Sequence, residues 1–217
     1  MTPTITTFAW VPKFARGQVR DLRARWAFEE IGERYTVDLI RDAKTPEYRR
    51  LQPFGQVPTY RDDGVALFES GAIVLHIARR GAGLLPDDAA GRAIAEQWVI
   101  AALNSVEPAV MDLVRCDLFE ADKPWSAQRR PSVLETARAR LGGVATALGD
   151  QPYLGGDAFT VGDLMMAAVL RIGPTDELFE GLPTLAAYLA RCTARPAFER
   201  ALADQLAVYA EQAVPAV

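Results

Sequence analysis

The sequence predicts two architectures in tandem, a mixed α/β layer over residues 1–80 and an all-helical segment over 92–217. Three observations carry that reading. Strand and helix signals alternate as far as Arg80. The stretch GAGLLPDDAAG, 81–91, is rich in Gly, Pro and Asp and reads as a linker. Beyond it, apolar residues recur at helical spacing with no convincing strand.

Ile5 to Trp10 is β-branched and aromatic, the composition of a strand. Val19, Leu22 and Trp26 fall at helical spacing, and Gly32 stands where a helix end needs a residue able to turn left-handed. Tyr35 to Ile40 alternates again. Thr45-Pro46 opens a short helix, with Thr as cap and Pro at the first helical position, where a missing N–H costs nothing. Val57 to Tyr60 and Val65 to Phe68 are short strands joined by the turn Asp62-Asp63-Gly64, and Ser70 to Arg80 is a helix with Ile73 and Ile77 on one face. The order βαβαββα is that of a thioredoxin-like layer, whose first, parallel strand pair must cross over right-handedly. In the second half, Arg92 to about Phe119 has helical spacing through Ile94, Trp98, Ala101 and Ala102, and Ser132 to Leu148 follows. Thr160 caps the next helix, with Asp163 reaching back to complete a capping box and Phe159 able to staple onto Leu164. Leu182-Pro183 and Pro196 open the last two.

A chain of 217 residues can bury one large or two small cores, and its formal charge of −4 offers no basic field for a phosphate backbone, which argues against nucleic acid as a partner. Arg16, Arg20, Arg23 and Arg25 cluster, but Asp21, Glu29 and Glu30 interrupt them, so a solvated helix face is expected. Cys116 and Cys192 are far apart and lack metal spacing, which argues against a disulfide framework or a metal site and fits a reducing compartment. The N-terminus has no basic segment followed by a long apolar core, and no stretch approaches about 20 uncharged apolar residues. The cytoplasm is the expected location, with no membrane partner. His76, the lone histidine, is expected to pack rather than to act in catalysis.

The most informative stretch is PFGQVPTYRDDGVALFESGAI, from Pro53 to Ile73. A cis Val57–Pro58 bond would keep the loop from pairing with its own sheet and turn the Val57 main chain outward, free to hydrogen-bond an extended peptide. Ser70 offers a hydroxyl and the free N–H groups of a first helical turn to a carboxylate, while the Glu69 carboxylate can pair with an ammonium. Those features together describe a site for a small peptide carrying both charges.

The segment resembles the glutathione-binding signature of the cytosolic glutathione transferases, in which a Val-Pro and a Glu-Ser pair enclose the fourth strand. The resemblance extends over nearly the whole chain. It implies that Gln56 and Lys44 hold the glycine carboxylate of glutathione, although Ala43 stands where some classes carry His. It implies a homodimer, and an acceptor pocket bordered by the helical domain, where Cys116, Phe119 and Trp125 are candidate walls. Such enzymes ionise the glutathione thiol, whose free pKa is about 8.5, with a Tyr, Ser or Cys near the start of the first helix. Here the tyrosine position falls on Phe8, and the serine or cysteine position, just after Pro12, on Lys13 or Phe14, none of which carries a hydroxyl or thiol. The substitutes are the charge of Lys13 or Arg16, the positive end of the first helix, and the indole N–H of Trp10. The implied reaction is conjugation of glutathione with a small apolar electrophile. The alternatives are glutathione-dependent isomerisation or thiol reduction, and a non-catalytic ligand-binding or protein-interaction module.

Overall fold

The structure, a computed structural model, describes residues 1–210, so 211–217 of the expected helical segment lie outside the described residues. The first part follows the predicted order. Strand β1 (Thr4–Phe8), a 3-10 turn (Lys13–Ala15), α1 (Asp21–Ile31), β2 (Thr36–Ile40), α2 (Pro46–Arg49), β3 (Thr59–Arg61), β4 (Ala66–Phe68) and α3 (Ser70–Ala78) form a thioredoxin-like layer. Its sheet runs β2-β1-β3-β4, with β1–β2 parallel and the other pairs antiparallel. The local reasons are those the residues suggest. Gly32 closes α1 at φ 68°, in the left-handed region that glycine enters without a Cβ penalty. Thr45 Oγ1 accepts from Tyr48 N at 3.3 Å, with Pro46 at the first position of α2.

The helical part begins at Ala89, inside the stretch expected as linker, because Asp88 caps α4 (Ala89–Ala101) by accepting from Gly91 N at 2.7 Å. A π-helical stretch (Ala102–Val106), α5 (Glu107–Val114) and a second π-helical stretch (Arg115–Phe119) continue α4 without a break to the predicted end. Helix α6 (Ser126–Leu148) starts ahead of Pro131 rather than after it, and Arg130 ties its first turns to Asp117 and Glu177 through bidentate pairs of 2.6–2.9 Å. Helix α7 (Val161–Leu170) carries the predicted capping box and is buried along its whole length. Asp163 also accepts from Leu154 N at 2.8 Å and from the Tyr188 hydroxyl at 3.0 Å. The Phe159 ring meets Tyr153 edge-on at 5.5 Å. The short α8 (Thr175–Leu178) and then α9 (Pro183–Thr193) complete this unit.

Contacts divide the chain into two compact units, Met1–Leu84 with the segment from Arg195 onward, and Leu85–Ala194. The last helix, α10 (Pro196–Ala210), therefore stands with the sheet, against α1. Trp26 is fully buried and meets Phe198 at 4.8 Å, and Tyr209 Oη lies 3.5 Å from Thr7 Oγ1. This packing corrects the expectation of a solvated arginine face, since Arg23 and Arg25 are 3% and 0% exposed. Arg25 is held by Asp21, at 2.7 Å, and by Asp204 of α10, and Gln205 donates to Asp21 Oδ1 at 2.6 Å and to the Val19 carbonyl at 3.0 Å. A buried guanidinium is tolerated only with such compensation.

Candidate functional site

The Val57–Pro58 peptide bond is cis. The Val57 side chain points inward, into a small core with Ala43 and Tyr48 against which Phe8, Val19 and Ile40 pack. Its main chain makes no hydrogen bond among the described residues, because the β3–β4 ladder begins only at Thr59↔Phe68. The loop before it is held from both sides. Gln56 N donates to Gln52 Oε1 at 3.2 Å, and the Tyr48 hydroxyl donates to the Gln56 carbonyl at 2.9 Å. That leaves the Gln56 side chain exposed. Gly55, at φ 65°, brings the loop so close to the Ala43–Lys44 segment that a Cβ there would lie 3.1 Å from the Ala43 carbonyl oxygen. Lys44 and Gln56 are thus carried on two loops in contact, and Lys44 is exposed, its N–H donating to Asp42 Oδ1 at 2.7 Å.

Glu69 and Ser70 stand at the start of α3. Glu69 is the one described non-glycine residue with positive φ, 69°, and its side chain is exposed. A residue held in that region costs of order 1–3 kcal/mol and is commonly found at ligand sites. The N–H groups of Ser70, Gly71 and Ala72 have no partner among the described residues, so the first turn presents donors beside the Ser70 hydroxyl. Ser70 is buried, and Arg23 Nη1 donates to its Oγ at 3.0 Å. Arg23 thus touches a candidate site residue, a contact that sequence reasoning missed. Its position in an interrupted arginine run gave no sign of burial.

The hairpin that positions α3 is fixed by Asp62. Its Oδ1 accepts from Gly64 N and Val65 N at 2.8 and 2.9 Å, and its Oδ2 from the Tyr60 hydroxyl at 2.6 Å and Arg80 Nη1 at 2.8 Å. The Tyr60 hydroxyl, then the two backbone N–H groups, hold the Asp62 carboxyl far below the ordinary carboxylate range. Arg80 also grips Glu33 through two bonds of 2.6 and 2.9 Å. His76 packs edge-on against Tyr60 at 5.0 Å, its Nε2 3.3 Å from Asp62 Oδ2.

The candidate thiol-activating residues all follow β1 on the first unit. Lys13 and Phe14 sit exposed on the 3-10 turn, Trp10 is exposed just after β1, and Arg16 follows the turn with its Nε buried and unpaired among the described residues. The first α-helix opens only at Asp21, not directly after Pro12, and a buried carboxylate occupies its first turn. Among the described residues, no cluster of metal-ligating side chains is present, and no helix is long and apolar enough to cross a membrane.

Two family models match the chain, that of the glutathione S-transferase N-terminal domain over residues 14–79 and that of the C-terminal domain over 108–196. A glutathione S-transferase of Hyoscyamus muticus is 30% identical over 177 residues, 74% of this chain and 80% of that protein. Glutathione S-transferase F11 of Arabidopsis thaliana is 32% identical over 188 residues, 80% of this chain and 85% of the relative. Among solved structures, a theta class glutathione S-transferase from Xanthomonas axonopodis pv. citri with glutathione bound superposes with a TM-score of 0.75 at 30% identity, over 93% of this chain and 97% of that one. A glutathione transferase from Burkholderia graminis, with two glutathione molecules bound per subunit, gives 0.81 at 27% identity, over 93% and 87%.

Proposed function

The chain belongs to the glutathione S-transferase family, and from that premise we propose that its first unit binds glutathione and that the protein joins the glutathione sulfur to a small apolar electrophile. The observation that carries the reading is one arrangement: a Val57 main chain and three first-turn amides without partners among the described residues, beside an exposed Glu69 and the Ser70 hydroxyl. An extended tripeptide pairs with Val57 through its cysteinyl main chain. The γ-glutamyl carboxylate takes the Ser70 hydroxyl and first-turn amides, and its ammonium takes Glu69. The glycine carboxylate takes Gln56 and Lys44.

In the chemical step the thiolate forms a carbon–sulfur bond, and the electron pair displaced from carbon leaves with the departing group or, in an addition, gathers a proton. No hydroxyl or thiol occupies Lys13, Phe14 or Phe8, so the thiolate is stabilised by the positive charge of Lys13 or Arg16, with the Trp10 indole N–H as a neutral donor. The second unit supplies the acceptor site, with exposed Phe119 and Trp125 as walls. The reading includes a cytoplasmic location and a homodimer. Phe54, 66% exposed, meets Phe68, 38% exposed, edge-on at 6.1 Å, an apolar surface suited to a second copy.

Calorimetric titration with glutathione tests the core of the proposal. Saturable binding, with ultraviolet absorbance of bound thiolate below the free thiol pKa, is expected. Absence of binding at millimolar ligand favours the module that binds no glutathione, and binding without ionisation favours a non-catalytic carrier.

A further inference from the structure

We infer that Arg23 is a positioning residue for the γ-glutamyl carboxylate, acting through Ser70, and this rests on the glutathione reading of the site. A serine hydroxyl has one proton to give and two lone pairs to fill, whereas a guanidinium only donates. Arg23 Nη1, 3.0 Å from Ser70 Oγ, fills one of those lone pairs. The Ser70 proton is thereby directed to another acceptor, and a carboxylate is acceptor only. The same cation polarises the hydroxyl and strengthens the bond it donates.

Three further observations fit this role. Arg23 is 3% exposed, so its charge lies behind the hydroxyl, away from water that would screen it. Ser70 heads α3, where the N–H groups of Ser70, Gly71 and Ala72 are without partners among the described residues, so a carboxylate there meets the hydroxyl and the amides together. Glu69, next in line, is exposed and held at φ 69°. The pair therefore presents a cation-backed donor on one side and a free carboxylate on the other, the complement of a zwitterionic α-amino acid group rather than of a plain carboxylate.

A merely structural Arg23, tying α1 to α3, would affect every ligand alike. The discriminating measurement is a ratio: the affinity for glutathione over that for the analogue lacking the α-carboxylate of the γ-glutamyl residue, taken on the same preparation of the whole protein. The wild type is expected to prefer glutathione by about 10- to 100-fold, the range of one charge-assisted hydrogen bond. Arg23→Met is expected to remove most of the hydroxyl's share of that ratio, and Ser70→Ala to do the same, with the first-turn amides keeping the remainder and the double variant losing little more than either. Arg23→Gln, which keeps a shorter donor without the charge, is expected to lose most of the preference, and it serves if Arg23→Met does not fold. A folded Arg23→Met or Arg23→Gln variant that keeps the wild-type ratio overturns the role of Arg23 while leaving glutathione binding intact. A wild type that binds glutathione but does not distinguish the two peptides removes carboxylate recognition from Ser70 and Arg23 together. A wild type that binds neither defeats the glutathione reading on which the inference stands.

Discussion

Replacing Ser70 by Ala removes one hydroxyl and leaves the free amides of α3 in place, so its effect on binding isolates the side chain. A hydrogen bond to a charged group contributes about 1.5–3 kcal/mol, and the Ser70→Ala dissociation constant for glutathione is expected to rise by about 10- to 100-fold, read by titration. The thiol is tested separately. If the Lys13 ammonium stabilises the bound thiolate, Lys13→Ala raises the bound thiol pKa by about 1 unit, seen as a shift in the ultraviolet pH titration. An unchanged curve removes Lys13 from the mechanism and leaves Arg16 and Trp10. At this scale the sequence was only half legible. Gln56 entered only through the family resemblance, whereas Val57, Glu69 and Ser70 could be read as a candidate site because turn and capping chemistry are local. Arg23 could not, because its burial depends on packing between elements, which local spacing does not encode.

Among the elements, the β3–β4 hairpin owes its turn to one carboxylate. Asp62 accepts from two backbone N–H groups of the turn, from Tyr60 and from Arg80. Its folded pKa lies below its unfolded value of about 3.9, so its contribution to stability is fully present above that value and is lost as pH falls below about 4 toward the folded pKa. The wild type is therefore expected to lose thermal stability steeply below about pH 4, and Asp62→Asn to show a flatter acid limb and a lower melting temperature at neutral pH. Asp163 plays the corresponding part in α7, accepting from two backbone N–H groups and two hydroxyls. Asp163→Ala is expected to cost about 3 kcal/mol or more, since it orphans several buried donors at once, measured by denaturant unfolding. Helix existence and order were legible from capping residues and spacing. The π-helical stretches at Ala102–Val106 and Arg115–Phe119 were not, because apolar spacing alone does not distinguish them from the α-helix they interrupt.

At the scale of the whole chain, the sheet unit is completed by α10. Its Asp204 and Gln205 hold the buried Arg25–Asp21 pair, and Phe198 and Tyr209 pack on Trp26 and Thr7. A chain stopped at Ala194 would expose Trp26 and leave Arg25 without one of its two carboxylates. Asp204 is half exposed, so losing it costs less than the roughly 3–5 kcal/mol of breaking a fully buried pair, but it adds to the lost apolar burial against a total stability of about 5–15 kcal/mol. Such a truncated protein is expected to lose glutathione binding and cooperative unfolding of the sheet unit, which calorimetry would detect. The placement of α10 was the least legible feature, because its opening Pro196 announces a helix but says nothing of which neighbour receives its apolar face. That placement also sets an order of events during synthesis. Arg25 leaves the ribosome 179 residues ahead of Asp204, so the half of the protein made first is the half that must wait longest for its last partner, and until then the Arg25 charge has water in that partner's place.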